Sequence, residues 1–166
     1  MTLPFLVTVA VRYLLVMLFF PFSALDKLLN FRGAVAQARQ RFAAPAVATA
    51  LIVVGVGIEI LLPLAILTGT ADRLAAFIMA GYCGVTALLW KPFWAKGDFW
   101  RAGDSQGRDL FWDFLKNFGL AGGFLLITFG QTAATAPSFL RAPFSSTHPY
   151  TIDRASTPPC AMHLQP

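Results

Sequence analysis

Charge is scarce in this chain. Of 166 residues, 13% are charged, where a soluble domain of this length carries about a quarter. That shortage, with 57% hydrophobic residues, excludes an ordinary water-soluble globule. Histidine is nearly absent as well. Both copies, His148 and His163, follow the last apolar run, so the apolar part cannot hold a haem between two of its own histidines. Only Cys83 and Cys160 are present, with no C-x-x-C pair, which argues against a membrane dithiol enzyme. No glycine-rich phosphate loop, nucleophile elbow or internal repeat occurs. The net charge of +5 does not point to nucleic acid, because the basic residues gather beside apolar runs and no recognition module accompanies them.

What is there is hydrocarbon-soluble sequence. Crossing about 30 Å of bilayer takes roughly 20 mostly apolar residues. Four stretches qualify: Pro4–Leu25, Ala46–Leu67, Leu74–Trp94 and Leu110–Gly130. The expected fold is an all-α integral membrane protein, a four-helix transmembrane bundle over residues 1–130. A disordered, flexible polar tail is expected over 131–166, a segment rich in Pro, Ser, Thr and Ala. The start, "MTLPFLVTVAVR", has no basic n-region, and "FSALDK" is a poor cleavage context, so the first stretch reads as a span and not a signal peptide. In the tail, Cys160 and His163 are spaced like half a metal site, but two ligands do not make one, and no metal is expected.

Lys27, Arg32, Arg39 and Arg41 follow span one; Lys91, Lys96, Arg101 and Arg108 follow span three. The opposite side has Arg73, Arg141 and Arg154. The positive-inside rule then puts both basic loops in the cytoplasm and both termini outside a multi-pass inner-membrane protein. The four tryptophans, Trp90, Trp94, Trp100 and Trp112, fall on the basic side as an interfacial belt. Between spans one and two, "NFRGAVAQARQRFAAP" places Phe31, Val35 and Phe42 on one side of a short helix ringed by arginines. It reads either as an amphipathic segment on anionic lipid or as a plain orienting loop. Pro45 suits the first turn of span two.

Polar residues inside the spans are the candidate site. Arg12 and Glu59 lie at matching depth, roughly 10 Å from the outer surface, and are expected to pair, since a lone charge there is costly. Gly55 and Pro63, four residues either side of Glu59, share its face. At the inner end, Ser23, Asp26 and Lys27 close span one. Asp113, Lys116 and Asn117 open span four at i, i+3 and i+4, so they share a face. Lys27 is expected to meet Asp113, and Lys116 to meet Asp26. Tyr82, Cys83, Thr86 and Trp90 share a face of span three that could take a quinone ring, with Tyr82 and Trp90 nearest, or could simply pack. Either the clusters fix helix order or they line a headgroup, proton or small-molecule site; both readings stand on sequence alone.

At these residues the chain resembles the DoxX family of small membrane proteins, related to the DoxD-type subunit of thiosulfate:quinone oxidoreductase. The carriers are "VRYLLVMLFFPFSALDKLL", "GIEILLPLAILTGTADRLAAF" and "DFW…FLKNFGLAGGFLLI", spanning about residues 5–130. Two departures stand out: Ala24 where the family often has Gly, and "KGDFW" where it often has a His before Phe-Trp. The resemblance implies a subunit that anchors or assists a quinone-linked redox complex, not catalytic alone, with no covalent cofactor but with a quinone as ligand. It implies as partners the lipid bilayer, a soluble redox protein and further copies of the chain. Two other classes remain open: a small-solute transporter using Arg12, Glu59 and Lys116, or a structural assembly factor.

Overall fold

The structure, a computed structural model, describes residues 3–130 and 136–151. Four helical segments are long and apolar enough to cross a membrane: Leu3–Leu29, Pro45–Thr68, Asp72–Ala95 and Gln106–Phe129. They overlie the four expected spans. Cys160, His163 and Arg154 lie outside the described residues.

The first span is not one straight helix. It divides into α1 (Leu3–Met17) and α2 (Phe20–Leu29). Pro21 explains the break: it has no N–H for the Met17 carbonyl four residues back, and its ring crowds that carbonyl. A third helix, α3 (Phe31–Arg39), follows at once and lies against α4 (Pro45–Thr68). Its Phe31, Ala34 and Val35 pack on a small core of Ala24, Ala38, Ala48, Ile52 and Val56. The amphipathic segment expected from sequence is therefore a helix whose apolar side meets protein. Pro45 opens α4, as its preset φ and missing donor favour.

Helix α4 ends at Gly69, whose φ of 77° is left-handed. Glycine adopts it without cost. Helix α5 (Asp72–Trp90) returns, a 3-10 turn (Phe93–Ala95) follows, and α6 (Gln106–Phe129) packs chiefly along α5. The main core joins α1, α2, α4, α5 and α6 through Val16, Phe20, Ile66, Met79, Cys83 and Phe124, each at most 1% exposed.

The flexible region expected from residue 131 onward is narrowed by its described part. Residues 136–151 carry α7 (Ala136–Arg141) and dock on the end of the bundle away from the basic loops. Phe139 is buried against Phe77 and Phe129, with the Arg73 guanidinium 5.6 Å above its ring. Tyr150 donates its hydroxyl proton to the Leu67 carbonyl and packs on Phe5, and Pro149 lies against Gly69.

Candidate functional site

The matched depths of Arg12 and Glu59 do not make them partners. Arg12 binds Asp72 at 2.7 Å and donates to the Ile66 carbonyl at 2.5 Å. Glu59 binds Lys27, with Nζ 2.7 and 2.8 Å from its two oxygens. The reason is side-chain direction. Every Cα–Cβ bond in a helix tilts toward that helix's N-terminus. Arg12 on α1 therefore leans away from the basic loops, while Glu59 on the antiparallel α4 leans toward the basic end. Lys27 on α2 leans back toward Glu59. Two Cα atoms at one depth thus send their charged ends apart.

The second expected exchange fails for a related reason. With Lys27 claimed by Glu59, Asp113 pairs with Lys91 at 2.8 Å and with Lys116, one turn on, at 3.3 Å. Lys116 does not meet Asp26. It is 73% exposed, Asp113 is partly exposed, and Asp26 is exposed at the end of α2. Asn117 donates to the Asp113 carbonyl at 2.9 Å.

At the end of the bundle away from the basic loops, Asp72 is fully buried in the first turn of α5, where the helix dipole favours an acid. Besides Arg12 it accepts from the Thr147 backbone N–H at 2.9 Å and from the Thr147 hydroxyl at 2.5 Å. Arg73 donates to the Thr128 carbonyl at 2.9 Å and to Ser138 and Ser145. This end is a closed polar clasp. Asp72 and Thr147 were not read as site residues from sequence. The lean of Arg12 toward the first residue of α5 was the signal available for Asp72; Thr147 had none.

The Glu59 cluster is different because it borders open space. Glu59, 2% exposed, accepts from Ser23 at 3.0 Å, from Lys27, and from the Tyr82 hydroxyl at 2.9 Å. Gly55, one turn from Glu59, makes room: a Cβ there would sit 3.3 Å from the Tyr82 oxygen. Beside this group lies a cavity of about 480 Å³. Asp26, Lys27, Glu59, Tyr82, Thr86, Trp90, Lys91 and Asn117 all reach its wall, as do apolar Phe19, Phe20, Ile58 and Leu89. Phe19 and Phe20 arrive there through the break before Pro21. Of the sequence candidates, the cavity gathers Asp26, Lys27, Glu59, Tyr82, Trp90 and Asn117. Arg12 belongs to the Asp72 clasp, Asp113 and Lys116 stand behind Asn117, and Cys83 packs in the core. Lys91, an orienting loop charge on the sequence reading, is an addition, as are Asn30 and Gln37.

The donor count on the wall is informative. An ammonium has three protons, and Lys27 directs them to Ser23 and both Glu59 oxygens. Ser23 and Tyr82 also donate to Glu59. Glu59 is thus saturated. Unspent donors remain elsewhere on the lining, where Lys91 and Asn117 each use one N–H on Asp113 and retain others. The donors around Glu59 are spent, while those of Lys91 and Asn117 are open for an acceptor oxygen.

Outside the spans, Asp98 organises the loop before α6. Its carboxylate accepts from the N–H groups of Gln106 and Gly107 at 2.8 and 2.9 Å. Desolvation is the largest single influence and opposes ionisation there, but the hydrogen bonds from Gly107, Gln106, its own backbone and Ser105 together outweigh it and hold the carboxyl below its usual range. Ser105 caps α6 through the Arg108 N–H, and Arg108 returns to the carbonyls of Phe99, Arg101 and Gly103.

Fold and site together define a multi-pass helical membrane protein with two internal charge clusters, one closed and one bordering a cavity. Residues 7–92, more than half of the chain, match the DoxX family. The chain belongs to the DoxX family. The match covers α1 to α5, and so Arg12, Lys27, Glu59 and Tyr82; α6 with Asp113, Lys116 and Asn117 lies beyond it. No curated protein and no solved structure matches the chain.

Proposed function

We propose that this chain is the membrane subunit of a quinone-linked redox complex in the inner membrane, and that the cavity beside Glu59 receives the quinone head. The observation that carries the reading is the two-sided cavity. Its volume of about 480 Å³ falls within the roughly 300–1,000 Å³ of small-molecule pockets. Apolar side chains dominate its lining, and partly lipid-facing Leu51, Val54 and Val85 frame it, so a ligand dissolved in the bilayer can enter sideways. Lys91 and Asn117 can donate to a carbonyl oxygen, and the Trp90 ring offers a stacking face. A bound quinone supplies two-electron, two-proton chemistry; the chain supplies orientation, exclusion of water and the hydrogen-bonded series Tyr82–Glu59–Lys27 at the cavity wall. Electrons come from a partner redox protein. With the basic loops on the cytoplasmic side, the cavity lies near the cytoplasmic leaflet and the clasp outside.

A permeation role draws less support. Along α1–α2, α4 and α5, the stretch between the outer clasp and the Glu59 cluster is filled by Val16, Phe20, Pro63, Ile66, Ala76 and Met79, all essentially buried. An apolar plug between two charge clusters is a poor route for a polar solute.

The test is recovery of the protein from native membrane under mild detergent. The expected result is a copurifying redox protein whose quinone reduction falls at least tenfold in the Asn117→Leu variant at normal protein level. Copurification of no redox protein, or full quinone reduction in that variant, would overturn the reading.

A further inference from the structure

Helix α3 carries a second, shallower site unrelated to the cavity. A groove of about 210 Å³ lies between α3 and the start of α4, lined by Phe31, Arg32, Val35, Ala36, Arg39 and Thr49. Arg32 and Arg39 are two turns apart on α3 and both exposed, and Arg41 follows directly. Among the described residues, no hydrogen bond or ion pair involves any of the three guanidinium groups. No acidic residue lies between Asp26 and Glu59, and Glu59 is occupied by Lys27. Three positive charges therefore stand together without protein counter-charge.

The groove has a direction. Its arginine rim lies where α4 begins, at the edge of the bilayer. Its floor continues from Thr49 to Val53 one turn deeper, 57% exposed, and on to Ile60, 40% exposed. A ligand that fits both parts has an anionic head and a hydrocarbon chain. We propose that this groove binds an anionic phospholipid, with the phosphate between Arg32 and Arg39 and an acyl chain along Val35, Thr49 and Val53. A free phosphate would use the arginines alone and leave the exposed apolar track through Val53 and Ile60 uncovered. A zwitterionic lipid would bring its own cation to an already cationic rim.

The experiment uses the full chain in neutral detergent, with dioleoyl phosphatidylglycerol or dioleoyl phosphatidylcholine added, and retained lipid counted by native mass spectrometry. The wild type should retain phosphatidylglycerol in preference to phosphatidylcholine. The double variant Arg32→Gln/Arg39→Gln should bind phosphatidylglycerol about thirtyfold more weakly, from roughly 1 kcal/mol per basic residue near a lipid surface. Arg32→Lys/Arg39→Lys should retain most of the preference. Ala36→Trp keeps every charge but fills the groove, and should lose retention by at least tenfold. Equal retention of the two lipids, or an Ala36→Trp variant that binds as the wild type does, would overturn the site and leave only diffuse surface attraction. Competition by millimolar inorganic phosphate that abolishes retention would also overturn it, assigning the rim to a free anion.

Discussion

Replacing Lys27 by methionine removes the only cation among the described residues that Glu59 touches. Glu59 is 2% exposed, so the stranded carboxylate keeps just Ser23 and Tyr82 as donors. Breaking a fully buried ion pair costs about 3–5 kcal/mol. Two surviving hydrogen bonds to a charged acceptor offset part of that, at roughly 1.5–3 kcal/mol each when intact, and protonation relieves more. Lys27→Met should therefore destabilise by about 3 kcal/mol. Glu59→Leu should cost about 2–3 kcal/mol, because Lys27 is partly exposed and can draw water from the cavity. The double variant should lose no more than either single one, since an apolar pair of similar volume can replace a buried ion pair with little penalty. The coupling would then be at least about 3 kcal/mol. Reversible unfolding in mixed micelles, titrated with denaturing detergent, reads all three. A parallel cycle on Arg12 and Glu59 should be additive within about 0.5 kcal/mol, because the two share no partner. Additivity for Lys27 and Glu59, or strong coupling for Arg12 and Glu59, would refute the assignment of partners.

Four further outcomes follow from the same geometry. Gly55→Ala should press on the Tyr82 hydroxyl 3.3 Å away, weaken its bond to Glu59 and cost about 1 kcal/mol in that unfolding assay. Thr147→Val removes the hydroxyl between Asp72 and Arg12 and should cost about 1–3 kcal/mol, whereas a tail that contributed nothing would leave stability unchanged. The folded carboxyl of Asp98 lies below its unfolded value, so its contribution is full above the ordinary carboxylate range and is lost as pH falls through the lowered value; Asp98→Asn should remove that acid-side loss of structure at Gln106 and Gly107, followed by amide NMR. Reporter fusions at Arg39 and Ser105 should read cytoplasmic, and both reading external would reverse the orientation.

The spans were legible because hydrocarbon length and helix rise are stringent, and each of the four appears within a few residues of its expected bounds. The break at Leu18 was not drawn, although Pro21 carried it. The cavity's polar residues were legible singly but not as one group. Lys27, Glu59, Tyr82, Trp90 and Asn117 all reach one cavity, yet the sequence assigns Glu59 to Arg12 and sets Tyr82 and Trp90 on a separate face. The pairings were not legible, because depth along a helix locates a Cα and not a charged tip. Arg12 and Lys27 each carry several rotatable bonds, and the tilt toward the N-terminus sends them in directions that depth alone does not reveal. Asp72 was hidden by position, since an acid at a helix start reads as dipole compensation until a buried arginine is found beside it. The docking of residues 136–151 was least legible of all. It depends on Phe139, Thr147 and Tyr150, single residues without period in a segment of otherwise tail-like composition.

The most direct measurement is photoaffinity labelling of native membranes with an azido-quinone, followed by mass spectrometry of the adducts. Labelling should fall on the cavity wall, at α2 around Phe19–Lys27, α5 around Val85–Lys91 and α6 near Asn117, and excess unlabelled quinone should suppress it. Adducts spread over the lipid-facing side chains, or concentrated at the Arg12–Asp72 clasp, with no competition by unlabelled quinone, would contradict the account.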